Sequence, residues 1–174
     1  MKKISIVCLA LVLIFSAFSL NACGEDPLYK TASADEAATE DSKTVDINDF
    51  EKTFDGMQKY LIACKLLPDP DSKENAKKGD LKSDMYAGII GAKQGVRYTL
   101  SSSAFIEFYE YDTENNNATA DQVTAQLNKD GTFKVAEELE TLTGKFSDSG
   151  NFLAVYNSTI KYDYDKILEE FKKF

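Results

Sequence analysis

Val96-Arg97-Tyr98-Thr99-Leu100-Ser101-Ser102-Ser103-Ala104-Phe105-Ile106-Glu107-Phe108-Tyr109-Glu110-Tyr111-Asp112 is the stretch on which the fold turns. Val96 to Leu100 alternates apolar and polar positions, as a half-buried strand does. The serine triplet 101–103 is a turn, so a hairpin into Ala104–Asp112 follows. On that second strand Ala104, Ile106 and Phe108 share one face, and Phe105, Glu107, Tyr109 and Tyr111 share the other. Both faces are largely apolar or aromatic, which predicts a central strand covered on both sides.

Helices are expected around this hairpin. Ile47, Phe50, Phe54, Met57, Leu61 and Cys64 recur at spacings of three and four, and predict a first helix. Asn48 and Glu51 fit a capping box at its start, and Pro68 and Pro70 stop it. Cys64 falls on the apolar stripe and reads as a small buried hydrophobe. Asp69 to Asp80 is a polar loop. A second helix is expected over 82–93, carrying Met85, Tyr86, Ile89, Ile90 and Ala92, although Gly88, Gly91 and Gly95 crowd it. Thr119 and Gln122 suggest a further capping box, with Ala120, Val123 and Leu127 as the buried face and Asn128–Gly131 as the end. Strands follow over 132–137, 141–146 and 151–156, the last two joined by a Ser147–Gly150 turn. The final helix presents Tyr164, Ile167, Leu168, Phe171 and Phe174, with Asp163 and Asp165 at its positive end and Lys172 and Lys173 at its negative end. This order predicts a single α+β domain over 47–174. Its antiparallel sheet has four to five strands, and helices pack mainly on one face.

The chain upstream has a different character. Met1-Lys2-Lys3 is a short basic start, and 4–20 is an apolar run broken only by serines, the pattern of an export signal. It ends in Leu20-Asn21-Ala22-Cys23. This resembles the lipobox of bacterial lipoproteins, and the resemblance implies cleavage after residue 22 and diacylglyceryl modification of Cys23. It also implies an extracytoplasmic protein held to the cell membrane as a lipoprotein. Two acyl chains make such an anchor stable where one would be marginal, at roughly 0.8 kcal/mol per buried methylene. The mature domain further resembles small uncharacterised lipoproteins, which implies no particular activity. Residues 24–46 carry seven acids and two bases among small polar residues, so 23–46 reads as a lipidated cysteine followed by a disordered acidic tether.

Composition limits the chemistry. The 174 residues contain 20 basic and 29 acidic side chains, three Cys, no His and no Trp. Loss of 1–22 removes Lys2 and Lys3 and leaves 18 bases against 29 acids, a net −11. Such a charge excludes a general nucleic-acid binder, which needs clustered Lys and Arg. The absence of His excludes imidazole-ligated zinc, His-held haem and Ser–His or Cys–His catalytic pairs. With Cys8 in the signal and Cys23 lipidated, Cys64 has no disulfide partner.

Three constellations invite chemistry. Gln126–Glu137 has EF-hand spacing, with Asn128, Asp130 and Glu137 at calcium-ligand positions, but Gln126 stands where the loop needs Asp. An ordinary turn from helix to strand is the preferred reading. Ser158 and Lys161 form a formal S-x-x-K without its partner motifs. Tyr98, Tyr109, Tyr111 and Tyr156 on the sheet offer a surface for a sugar or peptide. The function expected is therefore a lipid-anchored domain of the cell envelope, without cofactor, that binds a ligand or an envelope protein. Alternatives are an envelope hydrolase using Asp/Glu acids and a calcium-stabilised module.

Overall fold

The structure is a computed structural model in which residues 45–75, 80–115, 117–136 and 140–174 are described. In chain order the elements are α1 (Phe54–Ala63), β1 (Lys82–Met85), β2 (Gln94–Thr99), β3 (Phe105–Glu110), α2 (Ala118–Asp130), β4 (Thr132–Phe133), β5 (Leu142–Phe146), β6 (Phe152–Tyr156) and α3 (Asp165–Lys172). Short 3-10 turns occupy Ile47–Asp49 and Ala87–Ile90. The sheet is antiparallel throughout and runs β1-β2-β3-β6-β5-β4. It is an α+β fold with six strands, rather than the four to five expected.

The hairpin forms as its alternation requires. Val96 faces Phe108 and Tyr98 faces Ile106 across β2 and β3. Leu100 N–H closes the serine turn onto the Ala104 carbonyl at 2.8 Å. The strand β3 lies between β2 and β6 and is buried on both faces.

Two cores result. On one face α1 and α3 pack Met57, Leu61, Leu168 and Phe171 onto Val96, Tyr98, Ile106 and Phe108. Phe171 lies 5.4 Å from Phe108, ring to ring, and is fully buried, a burial that contributes roughly 1.5–3 kcal/mol. On the opposite face α2 and the Ala87–Ile90 turn pack Ala120, Val123, Leu127 and Ile90 onto Tyr109, Tyr111, Leu153 and Val155. The helices therefore cover both faces. The aromatic second face of β3 needed a cover, and α2 supplies it.

Other boundaries differ from the sequence reading, each for a local reason. The first helix is capped by Thr53, whose Oγ1 accepts the Gly56 N–H at 3.1 Å, and not by Asn48. The chain at Glu51 folds back against Gly56, where a Cβ would stand 2.0 Å from the Glu51 carbonyl oxygen. This places Phe50 edge-on to Tyr60 at 5.5 Å. Asn117, rather than Thr119, caps α2, accepting the Thr119 and Ala120 N–H groups. The expected helix over 82–93 is instead an edge strand followed by a 3-10 turn. Gly91, at φ +75°, ends that turn, and Gly95 lets the Tyr109 ring lie directly over β2. Of the strand expected over 132–137, Thr132 and Phe133 pair with β5, residues 134–136 do not, and Glu137 lies outside the described residues. Cys64 is half-buried at the end of α1, not sequestered, and burial pushes its thiol pKa up.

Candidate functional site

The tyrosine surface does not form. Tyr98 and Tyr156 point into one core and Tyr109 and Tyr111 into the other, none more than 8% exposed. Three of the hydroxyls are committed. Tyr98 donates to Gln58 Oε1 at 3.0 Å, Tyr109 to Glu107 Oε2 at 2.7 Å and Tyr111 to the Ile90 carbonyl at 2.9 Å. Tyr156 stacks on Tyr164 with centroids 4.7 Å apart. Alternation placed these rings on the correct faces, but both faces are interior.

The EF-hand spacing does not make a loop. Asn128 and Asp130 lie within α2, so the early ligand positions are helical. The Asp130 carboxylate turns onto Thr132, accepting its N–H at 3.1 Å and its hydroxyl at 2.7 Å. Those bonds hold its pKa below the usual carboxylate range. Gln126 is also committed, its Oε1 accepting the Lys134 N–H at 3.1 Å. Glu137 lies outside the described residues, and no cluster of three metal-ligating side chains occurs among those described. Ser158 accepts from Thr143 across the sheet end and lies in a turn rather than a helix.

One carboxylate is buried on the sheet. Glu107 faces Arg97 across β2 and β3, and Arg97 Nε donates to its Oε1 at 2.8 Å. A second guanidinium N–H reaches the same oxygen, and Tyr109 occupies the other. Arg97 in turn lies 4.3 Å over the Phe105 ring. Every hydrogen-bond partner of Glu107 among the described residues is internal and its side chain is buried, so the group holds the sheet together rather than facing a substrate.

The side chains left available gather elsewhere. A cleft of about 690 Å³ opens between α1 and the edge strand β1. Its wall is the loop that follows β1, and its floor includes Phe54 and Val96. Asp55 enters from α1, Lys82 and Asp84 from β1, and Lys93 and Gln94 from the start of β2. A smaller hollow of about 260 Å³ shares Asp55, Gln58 and Lys82 and continues along the same seam. Gln58 is fixed as a buried strut, donating to the Phe54 carbonyl at 3.0 Å and accepting from Tyr98.

Tyr86 stands at the rim. It is 83% exposed, and with Ile89, at 50%, it completes the set of large apolar side chains left exposed among the described residues. The ring lies against Gly88, where a Cβ would sit 3.4 Å from the ring Cζ and hydroxyl oxygen. A second cavity, of about 700 Å³, opens where β5 meets α3 and the end of α2, near Leu127, Gly144 and Leu168, and carries no such exposed ring. Sequence reasoning passed over Tyr86 and Asp84 by assigning both to a helix. The signal against that helix was the density of glycines at 88, 91 and 95.

Compared with known protein families, curated proteins and solved structures, the chain matches none.

Proposed function

We propose that this chain is a lipid-anchored extracytoplasmic protein, tethered through Cys23, that binds a ligand or an envelope partner at the α1–β1 cleft. The observation that carries the binding reading is the placing of Tyr86. A folded domain that buries its other described aromatic rings wholly or in part leaves this one open, beside a cleft furnished with hydrogen-bonding side chains. An exposed tyrosine joins a large contact area to low conformational entropy, which makes it a common anchor in binding surfaces. The anchor reading rests on the lipobox at 20–23 and the acidic stretch that follows.

Mass spectrometry of the mature protein tests the anchor. A diacylglyceryl mass on Cys23, and release of Cys23→Ala from membranes into the soluble fraction, are the expected results. An unmodified thiol at residue 23 in membrane-free material refutes it.

A carboxylate hydrolase is the second reading, because Asp55 and Asp84 line the same cleft from facing elements. Both are exposed, and Asp55 is paired with Lys59 at 2.6 Å. The acid of a hydrolytic pair is normally kept protonated by burial, which this cleft does not supply. Turnover of a glycoside substrate, abolished by Asp84→Asn, would favour that reading over simple binding.

A further inference from the structure

The cleft specifies a class of ligand, and this step rests on the binding reading above. Its charged side chains are Asp55, Asp84, Lys82 and Lys93, two of each sign, in a chain whose formal charge is −9. A phosphate or carboxylate ligand calls for net positive charge, and a metal or polyamine for net negative charge. A balanced cleft favours a neutral ligand that uses donors and acceptors together.

The available groups fit that demand. Asp84 makes no hydrogen bond or ion pair among the described residues, and its carboxylate is free to accept from hydroxyls. The Lys82 ammonium sits 5.8 Å over the Tyr98 ring, and that of Lys93 lies 3.6 Å from Asp112, so both retain free N–H groups. Gln94 donates to Glu110 at 2.5 Å and keeps its amide oxygen. The Tyr86 ring, held on Gly88 and otherwise open, provides the flat apolar platform on which a sugar ring stacks.

Strand addition by a peptide is less well served. Thr99 N–H donates to the Leu81 carbonyl at 3.0 Å, so by antiparallel alternation Lys82 and Asp84 are the residues of β1 that turn their backbone groups outward. A four-residue edge with charged side chains at those positions is a poor template for another strand.

We infer that the α1–β1 cleft is a binding site for a neutral oligosaccharide, stacked on Tyr86 and hydrogen-bonded by Asp84, Lys82, Lys93 and Gln94. The test is titration calorimetry and saturation-transfer NMR on the full chain. The probes are a tetramer of β-linked N-acetylglucosamine, a β-linked glucose tetramer and, for contrast, a neutral extended octapeptide of Thr and Asn. Saturable binding of at least one sugar is expected below about 10 mM, and little changed by added salt, because the ligand carries no charge. Tyr86→Ala weakens it about tenfold or more, Tyr86→Phe preserves it within about twofold, and Asp84→Asn weakens it about threefold. All three variants keep the parent melting temperature, since these side chains are exposed. Absence of saturable binding of both sugars overturns the inference. So does sugar binding indifferent to Tyr86→Ala, or binding of the octapeptide alone. Peptide binding lost in Tyr86→Ala would overturn the ligand class while leaving the cleft's binding role standing, and the Cys23 measurements are independent of either outcome.

Discussion

Raising the pH above 10 should unfold this protein steeply, because the interior is built on phenols. Tyr98, Tyr109 and Tyr111 are 4% exposed or less, and burial pushes the pKa of each well above its ordinary value near 10. For Tyr109 the neighbouring Glu107 carboxylate adds to the effect. The folded chain thus keeps three protons that the unfolded chain releases near pH 10. A group whose folded pKa is raised contributes its stability fully below the unfolded value and loses it as pH rises toward the folded value. Each retained proton costs about 1.4 kcal/mol per pH unit above about pH 10, so these three together remove about 4 kcal/mol by about pH 11. At that slope a stability of about 5–8 kcal/mol, within the usual range for a domain of this size, is exhausted at about pH 11–12.

The assay follows the phenolate absorbance band and far-UV circular dichroism through one alkaline titration. The buried phenols should ionise together with loss of secondary structure. Tyr111→Phe should reduce the slope by about a third relative to these three groups, at a cost of about 1 kcal/mol near neutrality, since its hydroxyl bonds only the Ile90 carbonyl. Complete phenolate formation with a midpoint near pH 10 and unchanged dichroism would refute the reasoning. With no His in the chain, stability should be nearly flat between about pH 6 and 8.

Arg97→Met should lower stability by about 2 kcal/mol in urea unfolding, with the midpoint moved and the slope kept. It strands the buried Glu107 carboxylate on Tyr109 alone, and the partial exposure of Arg97 moderates the larger cost of a fully buried pair. Gly91→Ala should cost about 2 kcal/mol or more in the same assay. Its φ is +75° and its new Cβ would stand 2.4 Å from the Ala120 nitrogen, at the start of α2. Millimolar calcium followed by chelator should leave the thermal midpoint within about 1 °C, because the Asp130 carboxylate is already spent on Thr132. A calcium-dependent rise of several degrees would restore the EF-hand reading of Asn128, Asp130 and Glu137.

The elements legible in the sequence are those that earn their place by side-chain burial. The stripe Tyr164, Ile167, Leu168, Phe171, Phe174 predicts α3 and is buried along its length, and the two-sided pattern of 104–112 predicts a central strand. The strand β1 was illegible for the converse reason. Lys82, Ser83 and Asp84 are all exposed, so the strand is held by backbone pairing to β2, and a hydrophobic pattern carries no record of that. Its neighbours Met85, Tyr86, Ile89 and Ile90 meanwhile imitate a helical stripe, although the 3-10 turn buries Ile90 and leaves Ile89 out.

The same mechanism hid the candidate site. Tyrosine is an ambiguous letter, because a buried ring with a hydrogen-bonded hydroxyl and an exposed platform are written identically. What separates Tyr98 from Tyr86 is the element beneath each. Tyr98 sits on a strand covered by α1, where Gln58 Oε1 accepts the hydrogen bond from its hydroxyl, whereas Tyr86 follows an edge strand, on a loop whose glycines withdraw the cover a side chain would give. The cleft beside it exists because β1 extends the sheet past the reach of α1, leaving Lys82 and Asp84 to solvent on the face where Val96 and Tyr98 are covered. An edge strand too polar to belong to the core is therefore what the site is made from, and substitutions there should alter binding without altering the fold.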